Sequence, residues 1–287
     1  MGGRISDGQS PPWFDRLGPG FAATPLVIAV PHAGRIYPDE LLADSAVPRG
    51  QLEELEDRHA DLLIACAVAQ GAVAIVARAA RAWIDLNRSE EDLDPALRNP
   101  PGSGPSATAR ARSGLGLIPR RIGRRDLWRT GPSPAAAARR IGEVHAPYHA
   151  AIARALDDAL LRHGHAVLLD CHSMPPLPGL RPARIVIGDR HGRTAAHGLA
   201  ARLAAVARAE GYTAAINAPY AGAHAIERHG QPARGVHAIQ IEVDRSLYLL
   251  RDMRAISPGL EPVRALIATL AQAAIEATRP SLDIAAE

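Results

Sequence analysis

The chain has 287 residues, 47% of them apolar, and carries a formal net charge of only +3 at pH 7. A chain of this length and apolar content suits one large α/β domain that buries a substantial core. It contains no lysine, and its arginines are interleaved with Asp and Glu; a nucleic-acid binder instead gathers its basic residues on one face or stripe.

Residues 1–24 read as an N-terminal extension and 25–280 as a single domain. The extension lacks an apolar core of secretory length, and no later run is long enough for a membrane helix, so the expected location is the cytoplasm, with no membrane partner. Residues 26–30 form a short apolar run before Pro31, a buried strand with His32 at its carboxyl end. In residues 51–70, Leu52, Leu55, Leu62, Leu63, Cys66 and Val68 recur at helical spacing and Gly71 ends the run. Residues 72–77 are a second strand, and this strand, helix, strand order builds parallel sheets. Residues 83–86 read as a strand leading into Asn87 and Arg88. Residues 89–132, rich in Arg, Pro, Gly and Ser, lack periodicity and read as a lid or pocket wall, since a loop that long inside a domain is functional or mobile. Ser133 and Pro134 start an alanine-rich helix that runs to about residue 162 and is broken or bent near Pro147. Strands follow at 166–170, 184–187 and 236–243, and helices at 194–210 and 258–277. The fold class expected is a single α/β domain with a central mixed, mostly parallel sheet flanked by helices. Cys66 and Cys171 sit in apolar runs and read as small buried hydrophobes, so no disulfide framework is expected.

Three strand ends carry polar groups that a plain core does not need: Pro31-His32-Ala33-Gly34, Asp170-Cys171-His172-Ser173 and Glu242-Val243-Asp244. Ligand crevices of open α/β sheets lie outside the carboxyl ends of the strands. A catalytic zinc takes three His or carboxylate ligands and leaves one position open. His32 and His172 are the first two candidates; Asp57, near the start of the 51–70 helix, is preferred as the third over Asp61, one turn later. Each has a plainer reading, the histidines as hydrogen-bonded turn residues, Asp57 and Asp61 as solvated partners of Arg49 and Arg58. His163, His165, His191 and His197 read as surface residues and His145 and His149 as residues of the long helix, none of them ligands.

Six motifs in order, spanning roughly residues 25–250, carry a resemblance: Pro31-His32-Ala33-Gly34, Asp57-Arg58-His59-Ala60-Asp61, Ile84-Asp85-Leu86-Asn87-Arg88, Pro147-Tyr148-His149, Asp170-Cys171-His172-Ser173, and the run from Gly235 to Glu242. Together they resemble the N-formylglutamate amidohydrolases, a family similar in fold to zinc-dependent exopeptidases. The resemblance implies one Zn2+, or another divalent cation, with His32 and His172 as the zinc histidines and Glu242 as general base; Asp57, read from the residues above, is the third ligand preferred over Asp61. It implies that Arg88, with Asn87, grips a substrate carboxylate, and that Arg228 and His229 contact the acyl group or a second carboxylate. The chain departs from the pattern at Arg35, where zinc exopeptidases often place a carboxylate ligand, and around Gly222 to Gly230, which is less glycine-rich than the family. The expected reaction is hydrolysis of N-formyl-L-glutamate to formate and glutamate. The alternatives are another N-acyl amino acid or short peptide, or a metal-free small-anion binder. The expected partner is a small carboxylate-bearing molecule bound by a monomer or homo-oligomer.

Overall fold

Short runs rich in Val, Ile and Ala, each bounded by proline, glycine or polar residues, supply the centre of a seven-stranded sheet. The computed structural model describes residues 13–98 and 100–280. In chain order the strands are β1 (Phe14–Leu17), β2 (Leu26–Val30), β3 (Val73–Ala77), β4 (Ala166–Met174), β5 (Ile185–Gly188), β6 (Ala214–Ile216) and β7 (Val236–Asp244). They lie in the order β1, β3, β2, β4, β7, β5, β6. β2 runs parallel to β3 and β4, β4 to β7, and β5 to β6. Only the β1–β3 and β5–β7 pairs are antiparallel. The sheet is mixed and mostly parallel, the class expected, and every residue of its central strands is buried. Full burial on both faces is what βαβ connections impose.

Helices cover both faces. Beyond the four-residue α1 (Ala60–Leu63), the principal ones are α2 (Ala146–His163), α3 (Leu199–Ala209), α4 (His224–His229) and α5 (Leu260–Thr278). Tyr148, Ile152 and Leu156 of α2 pack on one face with Leu168 and Ala238. Leu203 of α3 and Leu266 of α5 pack on the other with Leu169, Cys171, Ile239 and Ile241. Among the described residues no helix is long and apolar enough to cross a membrane.

Several elements differ from the expected ones. Residues 51–70 are not one helix: Arg49–Leu52, Glu53–Leu55, Ala60–Leu63 and Ala65–Ala69 are separate turns. The break falls where Glu56 is extended and His59 takes φ +60°, so Asp57 leaves the helical register and its amide bonds the His32 carbonyl at 2.9 Å. Residues 83–86 form turns rather than a strand, because the Asp85 amide bonds the isolated carbonyl of Leu117 instead of a ladder partner. The long helix is continuous through a π turn, Ile141–His145, which accommodates Pro147. Phe14–Leu17, inside the segment read as an extension, is the edge strand β1; residues 1–12 of that segment lie outside the described ones. The aperiodic stretch 89–132 is tied down by Leu117, Ile118, Leu127 and Trp128, all in the core, because its few large apolar side chains gain more by burial than the loop gains in freedom. His165, read as a surface residue, is buried.

After β2 and β3 the two chains stay together, Ile36 bridging Ala79 in parallel. Gly34 makes this approach possible, since a Cβ built there would lie 1.9 Å from the Ala79 carbonyl oxygen. Gly34→Ala should therefore destabilise the domain by roughly 1–3 kcal/mol through overpacking, read as a lower urea midpoint with an unchanged slope. An unaltered midpoint would mean that the two connections are free to separate.

Candidate active site

Side chains alternate across a strand, and in β4 the alternation carries chemistry. Ala166 and Leu168 point into the α2 core, and the next two residues on that face are Asp170 and His172. The parallel partner β7 repeats the pattern: Val236 and Ala238 are followed by Gln240 and Glu242, paired in register with Asp170 and His172. The intervening residues, Cys171, Ile241 and Val243, face the opposite core. One sheet face is thus apolar for half its length and polar at its carboxyl end.

His32, at the end of β2, meets this group. Its Nδ1 lies 3.1 Å from His172 Nδ1, and a single Asp57 oxygen lies 3.4 Å from the first and 3.0 Å from the second. The other ring nitrogens are held by carboxylates, His32 Nε2 by Asp85 at 2.7 Å and His172 Nε2 by Asp170 at 2.8 Å. A carboxylate only accepts, so both Nε2 atoms donate, and in the neutral imidazoles this leaves the Nδ1 lone pairs facing Asp57. Two lone pairs and a carboxylate oxygen pointing at one spot require a positive charge between them. This donor set could hold a metal ion, and the carboxylate behind each imidazole is the support that metal-ligating histidines ordinarily have. Without a cation the charge is a proton. Burial opposes it, yet Asp170, Asp57 and Glu242 together raise the His172 imidazole well above its ordinary value. Burial likewise works to raise Asp57, but its bonds with His172 and His32 hold it well below the usual carboxylate range.

Around this group, Arg245 donates to Asp57 at 2.9 Å and Arg81 to Asp85 at 2.9 Å. Gln240 Nε2 donates to Glu242 at 2.8 Å. Glu242 is buried among other acids, and burial chiefly pushes its carboxyl up to about 7. Asp61 stands apart, tied to Arg35 at 2.6 Å, so the arginine at the unusual position pairs with the rejected carboxylate.

The cleft above, about 570 Å³, is lined by His32, Asp57, Asn87, Arg88, His172 and Glu242 among others. Asn87 borders it with its amide engaged: Nδ2 lies 3.0 Å from Asp170 and Oδ1 accepts from the Ala225 amide at 2.7 Å. These bonds fix the orientation of the Asn87 amide at the edge of the cleft. Arg228 and His229 are not brought to the cleft. Arg228 is exposed on α4, and His229 turns beneath it to bond His149 at 3.0 Å. The helical turn α4 carries them away, which the glycine-poor composition of that segment permits. Arg81, Arg110, Arg190, Arg193, Arg245 and Tyr220, which no motif in the chain marks, also line the cleft. Asp85, Asp170 and Gln240 were detectable in principle, each standing two residues from a chosen site residue and therefore on the same side of an extended chain.

The mixed α/β sheet carries a buried His, Asp and Glu cluster at its carboxyl end, and the similarity to known proteins gives the class, a hydrolase of carbon–nitrogen amide bonds. A family profile described as N-formylglutamate amidohydrolase matches residues 24–249, and the chain belongs to that family. It is 34% identical over 239 residues to the N-formylglutamate deformylase of Pseudomonas aeruginosa, covering 78% of this chain and 82% of that one. The same named enzyme of Pseudomonas putida is 31% identical over 238 residues, with the same shares covered. The crystal structure of an N-formylglutamate amidohydrolase from Ralstonia eutropha JMP134 superposes with a TM-score of 0.80 at 31% identity, over 92% of this chain and 96% of that one.

If the carboxylates behind the imidazoles do what the geometry implies, Asp85→Asn and Asp170→Asn should each weaken divalent-cation binding about 10–100-fold, measured by competition with a chromophoric chelator. Wild-type affinity in both variants would remove His32 and His172 as ligands.

Proposed function

We propose that this protein hydrolyses N-formyl-L-glutamate to formate and glutamate in a zinc-dependent reaction. The observation that carries the reading is the juxtaposition of a buried carboxyl, Glu242, with the His32, Asp57 and His172 donor set at the floor of an arginine-lined cleft. The names of the relatives support the substrate, and the donor set fits zinc. When bound, a zinc ion there would polarise the formyl oxygen and lower the pKa of water to roughly 7.

The remaining steps belong to the chain. Glu242 accepts a proton from the attacking water and passes it to the departing nitrogen. A carboxyl pushed up to about 7 by burial can both take and return a proton near neutral pH. Formylation removes the amine's charge and leaves a dianion, and six arginines against three carboxylates line the cleft. Several of these arginines are already neutralised: Arg245 by Asp57, Arg81 by Asp85 and Arg190 by Glu227. Arg88 bonds chiefly neutral carbonyls, those of Leu115 at 3.1 Å and Asn87 at 2.8 Å, and Asp85 is 3.9 Å away. Its charge is therefore the more available to a carboxylate, which a guanidinium can hold with two parallel bonds.

Formate release from N-formyl-L-glutamate by zinc-loaded protein, against N-acetyl-glutamate and N-formyl-aspartate, tests the substrate. Faster turnover of either analogue would move the reading to another N-acyl amino acid, and no turnover of any would favour anion binding alone. Glu242→Gln should keep the metal and lower kcat by about 10²- to 10⁴-fold; undiminished kcat would end the assignment of Glu242 as base. Arg88→Ala should raise KM about 10–100-fold, the equivalent of one lost charge-assisted contact, with kcat less affected. Only the deprotonated Glu242 can accept a proton, so kcat/KM should climb with pH along an acid limb. A nearby cation favours the carboxylate, which places that limb at or below about pH 7. Glu242→Gln should abolish the limb.

A further inference from the structure

A second group of imidazoles lies behind the Leu86–Arg88 segment, outside the cleft. His145 closes the π turn, His149 follows on α2 and His224 opens α4. The ring centroids are 4.5 Å apart for His145 and His149, 5.0 Å for His149 and His224, and 5.7 Å for His145 and His224.

The hydrogen bonds fix which nitrogens are free. His145 Nε2 lies 2.9 Å from the Arg88 carbonyl and His149 Nε2 lies 2.9 Å from the Leu86 carbonyl. Carbonyls accept, so both Nε2 atoms carry the proton and both Nδ1 atoms present lone pairs. His145 Nδ1 is buried with no hydrogen-bond partner, and so is His224 Nε2. His145 itself is 0% exposed. Two orphaned imidazole nitrogens beside a third ring are what a donor set without its cation looks like, since buried polar atoms in folded proteins are otherwise paired. One ligand atom from each of the three rings lies within 4.8 Å of the others. Across a tetrahedral zinc with bonds of ~2.0–2.1 Å the nitrogens stand roughly 3.4 Å apart, so closure requires small ring movements.

We propose that His145, His149 and His224 form a second metal site, structural in kind, that takes a borderline divalent cation such as Zn2+. Glu90 Oε1, 3.8 Å from His145 Nδ1 on an exposed side chain, is placed to be the fourth ligand. Three neutral imidazoles and a carboxylate are a donor set that zinc accepts, and the backbone carbonyls behind His145 and His149 play the part Asp85 and Asp170 play at the cleft. Burial lowers all three imidazoles from their ordinary value, His224 to about 4, so protons do not compete for the lone pairs at neutral pH. The bond His229 makes to His149 Nδ1 at 3.0 Å gives way to the cation. Arg228 opposes the site's positive charge, while Asp85, Asp92 and Glu90 favour it. The metal would join α2, α4 and the segment after Arg88, clamping the backbone that presents Asn87 and Arg88.

The site is independent of the reading of the cleft, and the test separates them. Metal-free protein is titrated with zinc and the bound metal counted, for wild type, His172→Ala, His224→Gln and the double variant, with far-UV circular dichroism to confirm folding. The expected counts are two, one, one and none. Zinc should also raise the Tm of His172→Ala and leave that of the double variant unmoved. A wild type that binds one zinc, lost entirely in His172→Ala, overturns the second site and leaves the cleft intact. A second equivalent that survives in His224→Gln and in His145→Gln overturns it too. One zinc lost in His224→Gln but kept in His172→Ala would instead establish the second site and remove the first.

Discussion

Convergence of three acceptors on one point governs the site. His32 Nδ1, His172 Nδ1 and an Asp57 oxygen lie within 3.4 Å of one another, all buried. In a low-dielectric interior such an arrangement is held by a positive charge at that point, a metal ion or a proton, and by the charges placed behind it. Asp85 and Asp170 fix the ring tautomers, Arg81 and Arg245 offset the acids, and Asn87 ties Asp170 to the first turn of α4. Removing one member of such a set leaves a buried charge uncompensated, which costs about 3–5 kcal/mol, whereas the complete set is close to neutral in stability. The site is thus a constraint on the fold rather than a contribution to it.

That constraint falls on the register of β4 and β7. Asp170 opposes Gln240 and His172 opposes Glu242. A slip of one residue in either strand would carry its two polar side chains into the face now occupied by Cys171, Ile239, Ile241 and Val243, and bring its aliphatic groups to the cleft. The apolar alternation that builds two cores is therefore the same device that holds the polar face of the cleft. Core and site are specified together by nine-residue strands.

Much of this was legible in the chain. The central strands are continuous apolar runs, and His32, His172 and Glu242 stand out because each is polar at the end of such a run. Asp57, expected on a helix, reaches the site by leaving the helical register, next to a left-handed His59 that no periodicity announces. β1 and β6 escaped notice because edge strands of three or four half-exposed residues leave little hydrophobic pattern. The arginines of the cleft escaped for another reason. In a chain whose only basic side chain is arginine, Arg110, Arg190, Arg193 and Arg245 look like any others, and only tertiary contacts separate the paired from the available.

The segment read as a strand at 83–86 shows how function can displace regular structure. The carbonyls of Leu86 and Arg88, two residues apart, are received by the imidazoles of His149 and His145 rather than by a neighbouring strand. The intervening Asn87 turns its amide the other way, to Asp170 and to Ala225. Backbone polar groups that are buried must find partners, and here the Leu86 and Arg88 carbonyls find theirs on a helix, so the segment is released from the sheet. It can then cross the carboxyl ends of the strands, where a ladder-bound strand could not lie, and bring Arg88 over the cleft. The histidine layer beneath it is thus bonded directly to the backbone of Arg88, linking the α2 face of the fold to the cleft at the end of β4.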